Sequence, residues 1–310
     1  MFGRVSAIAM NTYREAVRAR VLFGLLALAL ATSVYSLVIA AMSVRQETRI
    51  VADIGAASIS FYAVLVSVIL GATSLYRELE LKTIFPILTR RLRRHEYVVG
   101  KYLGIFATLA VFVALDGGTV LGIMAIQSER HVPLTIGLGI GMFAVLGLLL
   151  WRATHSRVFV VLPWSIAFFL VMALLSDGAG GERQVVVVSA VLTLAEVGIV
   201  GAIAMVFSSF SSPFLTAIFT MMLFMIGRSA DTLANIPERV FGSFIRTTGI
   251  VLAKVVPNLN VYVPARPLLL GQLAAVPLWS YVGRACLMAL LYAALLLTLS
   301  AIVFRKRDFQ

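Results

Sequence analysis

Eight apolar runs, near residues 21–43, 56–76, 102–126, 134–151, 158–175, 185–207, 214–230 and 281–304, constrain this 310-residue chain more than any other feature. A hydrocarbon core about 30 Å thick takes about 20 apolar residues to cross. Unpaired backbone groups are costly in lipid, so each run is expected to be a helix. Between them no polar stretch is long enough to build a soluble domain. The sequence therefore predicts an all-α, polytopic transmembrane helix bundle of about eight spans, with residues 1–310 as one membrane domain. Composition agrees: 61% of residues are apolar and 13% charged, against about 25% charged in a soluble domain.

The net charge of +12 invites a nucleic-acid reading, which the placement of the charges excludes. With the N-terminus cytoplasmic and eight spans after it, the inner segments 1–20, 77–101, 152–157 and 305–310 hold sixteen Lys/Arg and five acids, a net +11. The outer segments 44–55, 127–133, 176–184 and 231–280 hold eight Lys/Arg and seven acids, a net +1. That asymmetry is the positive-inside pattern, with both termini cytoplasmic. The basic excess reads as topology and as contact with anionic headgroups. The first run is about 23 residues long, beyond the 7–15 of a signal-peptide core, and is expected to stay as an anchor.

Residues 1–20 are too polar to span. Val5, Ile8, Ala9, Tyr13, Ala16 and Val17 recur at helical spacing, with Arg14, Arg18 and Arg20 off that stripe. This predicts an amphipathic helix in the inner interface. In 77–101, Pro86 is expected to break any helix. The runs 134–151 and 158–175 form a hairpin around the short basic linker 152–157. The stretch 208–213, SSFSSP, is a turn. Within the polar connection 231–280, residues 240–256 place Phe241, Phe244, Ile245, Val251, Leu252 and Val255 on one face, which suits an interfacial or re-entrant helix.

No catalytic signature occurs: HExxH, GxSxG and CxxC are missing. Gly100-Lys101 lacks the first glycine of a phosphate loop, because His95 stands there. The chain is not expected to be an enzyme, and ATP hydrolysis, if it drives the protein, belongs to another chain. His95, His131 and His155 are too scattered for a metal site, and the lone Cys286 has no disulfide partner and reads as a small buried residue. Two acids fall within spans, Asp116 and Glu196. Such a residue costs about 2.5–3.5 kcal/mol to insert and is a functional candidate by default. Asp116 precedes Gly117-Gly118 near the outer end of its run, where water would reach it. Glu196 is nearer mid-span, with Arg228 and Arg284 as candidate cationic partners; it serves either as a tie between helices or in handling a proton or substrate.

The inner loop 77–101 carries the best motif. Glu78, Glu80, Lys82 and Thr83 precede a dense basic patch of Arg90, Arg91, Arg93 and Arg94. Positive-inside charge explains the arginines but not the acidic pair. Mixed charge of this kind suits a docking surface for a soluble partner.

The stretch 77–104 resembles the intracellular loop of ABC transporter permeases of the type-2, exporter-like family. That loop has an acidic pair, a Thr, an apolar turn and a basic segment running into Gly-Lys and the third span. Glu78, Glu80, Thr83, Leu88, Arg94, Glu96, Gly100, Lys101 and Gly104 fit, and Arg91 departs by standing where the family often has proline. Residues 11–23 are similar to the family's N-terminal elbow helix, 208–228 to its fourth-to-fifth span junction, 256–272 to the segment before its last span, and 304–309 to its basic ending. The resemblance implies a six-helix core, with 134–175 as an extra hairpin. It implies a permease subunit of an exporter in the cell membrane, a bacterial inner membrane being expected. It also implies pairing with a second permease chain and with an ATP-binding-cassette ATPase subunit that holds ATP and Mg; the permease itself needs no cofactor. In that setting Glu78, Glu80, Lys82, Thr83, Arg90, Arg91, Arg93 and Arg94 would couple to the ATPase. The rival readings are a secondary transporter that uses Glu196 or Asp116 for protons, and a non-transporting membrane scaffold.

Overall fold

The structure is a computed structural model and describes residues 2–43, 46–80, 94–152, 157–272 and 277–306. Every regular element among the described residues is helical. In chain order these are α1 (Phe2–Val17), α2 (Arg20–Ala41), α3 (Glu47–Glu80), α4 (Arg94–Gln127), α5 (Val132–Arg152), α6 (Arg157–Leu175), α7 (Gly181–Ser208), α8 (Pro213–Arg228), α9 (Ala230–Ala234), α10 (Glu238–Val255), α11 (Arg266–Leu269) and α12 (Leu278–Lys306).

Seven of these, α2 to α7 and α12, are long and apolar enough to cross a membrane. The run at 214–230, expected to be an eighth span, forms the 16-residue α8, about 24 Å long and short of a full crossing. Two local features set its ends. Pro213 opens it at a position where a missing N–H costs nothing. At the other end the amide of Leu259 donates to the carbonyl of Gly227 at 2.9 Å, so the strap 256–262 takes over where the helix stops.

The bundle is built around α4 and α7. The apolar stretch of each is 72% buried, that of α3 56% and that of α5 only 6%. Thus α3, α4 and α7 form the centre, α2, α6 and α12 pack around them, and α5 touches the rest mainly through α6. Of the two helices in 134–175, α5 is therefore peripheral while α6 packs on α4. Lipid is as apolar as leucine, so side-chain hydrogen bonds across helices help set register. Ser67 on α3 donates to Val197 O and Tyr102 on α4 to Gly198 O, both at 3.0 Å. Ser300 on α12 donates to Met205 O at 3.1 Å, and Trp164 on α6 to Met142 O on α5 at 2.9 Å. Bonds of this kind average about 0.6 kcal/mol in a bilayer, so close packing supplies most of the cohesion.

The apolar stripe of α1 is turned onto α4: Tyr13 and Ala16 are buried. The contact is close because Gly104 lacks a side chain, and a Cβ there would stand 2.6 Å from Ala9 O. Burial pushes the Tyr13 phenol up to about 12, so it stays neutral. By contrast α10 leaves much of its apolar face uncovered, with Phe244 82% and Val255 75% exposed. Gly242, at φ 79°, breaks its helical backbone near the start.

Candidate functional site

Both intramembrane acids are fully buried, and each joins three helices. Asp116 on α4 accepts hydrogen bonds from Ser33 on α2 at 2.9 Å and from Ser58 on α3 at 3.4 Å. Its expected contact with water is not found, since Asp116 is 0% exposed. The reason is the pair of glycines after it. A Cβ on Gly117 or Gly118 would collide with Phe169 or Phe168, so their absence lets α6 close over that side of α4. Among the described residues no cation lies beside Asp116, and the two hydroxyls are what compensate its burial. A hydroxyl pair holds a carboxyl in place but gives a proton no charged acceptor to move to.

Glu196 on α7 has a cationic partner. Arg228, the last residue of α8, brings Nε to 2.7 Å from Oε1, and its Nη2 donates to Oε2 at 3.0 Å. The same Nη2 donates to Ser60 on α3 at 2.9 Å, and the guanidinium lies over the Phe224 ring, 5.5 Å from its centroid. Glu196 is wholly buried, while the Arg228 side chain stays 24% exposed. Of the two partners proposed from sequence, Arg284 is exposed and forms no ion pair among the described residues. The short α8 explains the choice. It turns back from the end of α7 and stops about 24 Å along, which leaves Arg228 beside Glu196, 12 residues back along α7.

Arg228 faces a cavity of about 470 Å³ between α3, α7, α8 and the segment 262–269. Its walls are mostly apolar, including Phe61, Val64, Met221 and Phe224, with Ser60, Ser189 and Thr193 as hydroxyl-bearing exceptions. One rim is tied down by a second charged cluster. Arg266 at the start of α11 pairs with Asp53 on α3 and Glu182 on α7, and Arg49 lies 3.9 Å from Asp53. The strap is held further by Gln184 donating to Leu269 O at 3.1 Å and Tyr262 to Ala285 O at 3.2 Å. The Arg266 cluster carried no sequence signal, because its members are 53, 182 and 266 in a chain where only folding brings them together.

The remaining candidates fall elsewhere. Lys82, Thr83, Arg90, Arg91 and Arg93 lie outside the described residues, as do the side chains of Glu78, Glu80 and Arg94. Pro86 and His155 lie outside them too. Glu78 and Glu80 occupy the last turns of α3 and Arg94 opens α4. Among the described residues no cluster of His, Cys, Asp and Glu could hold a metal ion. Cys286 is half-buried in an apolar groove between α4, α7 and α12. No protein-family model matches the chain, and a comparison with curated proteins finds no relative.

Proposed function

We propose that this chain is the membrane-spanning permease subunit of an ATP-driven transporter, in which a separate ATPase docks on residues 77–101 and a second permease chain completes the assembly. The ordered resemblance of several segments to type-2 ABC permeases motivates this reading. The observation that carries it is the length of α3 and α4. Each has 34 residues, about 51 Å, against a hydrocarbon core of about 30 Å. They are tied together where Lys101 donates to the carbonyl and hydroxyl of Ser74. From that level α3 continues six residues to Glu80, and α4 begins seven residues earlier at Arg94, an overhang of about 10 Å each. Two stiff helices thus carry the ends of the charged loop clear of the apolar layer, where a soluble partner could push or pull on them.

The cavity beside Arg228 is the candidate path for cargo. A proton-coupled secondary transporter is the second reading, favoured by the placement of buried Glu196 against that cavity. The test of docking is charge reversal. An exposed pair is worth only about 0.2–1 kcal/mol, so single alanines are weak probes, whereas like charges across an interface repel. Glu78→Lys combined with Glu80→Lys should leave the permease inserted but release a co-purifying ATPase, or uncouple its hydrolysis from transport. Wild-type ATPase binding and transport in that variant would rule out the loop as the coupling element.

A further inference from the structure

We propose that the cleft between α1 and the neighbouring ends of α3 and α4 binds the headgroup of an anionic phospholipid. The cleft encloses about 510 Å³. Arg14 in the last turn of α1 and Arg18, the residue just after that helix, line one wall. Both are exposed, and neither makes a hydrogen bond or ion pair with the described residues. Asn11 stands one turn before Arg14 on the same wall, and Thr73 and Ser74 face them from α3. Behind Ser74 lies the ammonium of Lys101, buried and bonded to that residue's carbonyl. Among the described residues Glu15 is the one acid lining the cleft. Among the described residues lining the cleft the two arginines outnumber the one acid, and both guanidiniums have donors to spare.

Depth distinguishes a lipid from a free anion. Thr73 and Ser74 stand three to four residues before Arg77, where the apolar run of α3 gives way to charge, as it would at headgroup level. The apolar part of the lining, Leu70 on α3 and Ile105 on α4, lies one turn from Ser74 and Lys101 toward the middle of the bundle. The cleft thus offers phosphate donors at the rim and an apolar floor about 6 Å deeper, the order in which a phospholipid presents its phosphate and its acyl chains. Basic pockets between membrane helices recognise anionic headgroups through this combination. Two arginines near the C-terminus of α1 would also favour the helix dipole, but that role is indifferent to which lipid is present.

The experiment exposes the purified full chain, in a neutral maltoside detergent, to an equimolar mixture of phosphatidylglycerol and phosphatidylcholine, and reads bound lipid by native mass spectrometry. Phosphatidylglycerol should be enriched about tenfold. Arg14→Gln with Arg18→Gln should abolish the enrichment, Arg14→Lys with Arg18→Lys should keep most of it, and Lys254→Gln with Arg284→Gln, exposed basic positions on α10 and α12, should leave it unchanged. Thermal unfolding with phosphatidylcholine alone checks that each variant is folded. Should the glutamine pair fail that check, Asn11→Trp, which fills the cleft and keeps both arginines, should abolish the enrichment instead. Equal binding of the two lipids by the wild type, or enrichment that survives in the folded variants, overturns the proposal. Displacement of phosphatidylglycerol by inorganic phosphate would make this a free-anion site and overturn it equally.

Discussion

The Glu196–Arg228 pair is the residue-scale feature whose two candidate roles separate most cleanly. A buried charge that loses its partner costs about 3–5 kcal/mol, whereas neutralising both halves together is often tolerated. Arg228→Gln should therefore lower the midpoint of thermal unfolding in detergent, and adding Glu196→Gln should restore most of it. Glu196→Gln alone keeps a hydrogen-bond acceptor facing Arg228. If the pair only ties α7 to α8, transport by that variant stays near wild type. Loss of transport with unchanged unfolding would assign Glu196 to proton or substrate handling. Hydropathy singles out Glu196 and Asp116 because a carboxyl inside an apolar run is rare. It does not reveal what satisfies them. Ser33 and Ser58 are ordinary span residues, and Arg228 reaches Glu196 only because α8 is short.

Among the elements, α1 is the one whose position rests on absent side chains, those of Gly100 and Gly104 on α4. A Cβ at Gly104 would stand 2.6 Å from the Ala9 carbonyl oxygen and 2.6 Å from Thr12 Cβ. Backbone cannot yield as a flexible side chain can, so α1 must shift as a unit. Gly104→Val is expected to speed hydrogen exchange over residues 2–17 while leaving 181–208 protected. Unchanged exchange in α1 would mean that the contact with Gly104 does not hold it. The helical period of 1–20 is legible in the sequence, but the surface it faces is not. An apolar stripe buries equally well in lipid or against α4, and the pair of glycines at 100 and 104 decides only once the two helices are adjacent. The uncovered faces of α5 and α10 show the complementary case: the same amphipathic or apolar pattern with little of the chain against it.

At the scale of the whole molecule the charge asymmetry, +11 against +1 over the assigned segments, makes a topological prediction. In a Cys286→Ser background, Glu47→Cys and His131→Cys should react with an impermeant thiol reagent added outside intact cells. Leu92→Cys and His155→Cys should react only after permeabilisation. Reaction of the residue-155 thiol from outside would eliminate the hairpin arrangement of 134–175. The seven helices long and apolar enough to cross a membrane would carry the chain across seven times, and the sidedness of the residues beyond α7 depends on how α8 to α11 return. An arrangement with both termini inside needs that shorter group to complete an eighth passage together. The Arg266 cluster and the Gly227–Leu259 bond are the contacts that would hold such a composite passage in place.

By itself the sequence determined that the chain is helical, apolar and multi-pass, and where each long helix lies. Those properties come from local composition, because a bilayer obliges any run of about 20 apolar residues to satisfy its own backbone. The same local reasoning found both buried carboxyls and the charged ends of α3 and α4. Only the tertiary structure decided that α4 and α7 are central and α5 peripheral, since all are apolar and burial depends on neighbours. It also decided that Arg228 rather than Arg284 meets Glu196, that Asp116 is sealed by Phe168 and Phe169, and that Arg14 and Arg18 overlook a cleft. Each of these depends on depth and distance between residues far apart in the chain, which helix packing sets and local composition cannot encode.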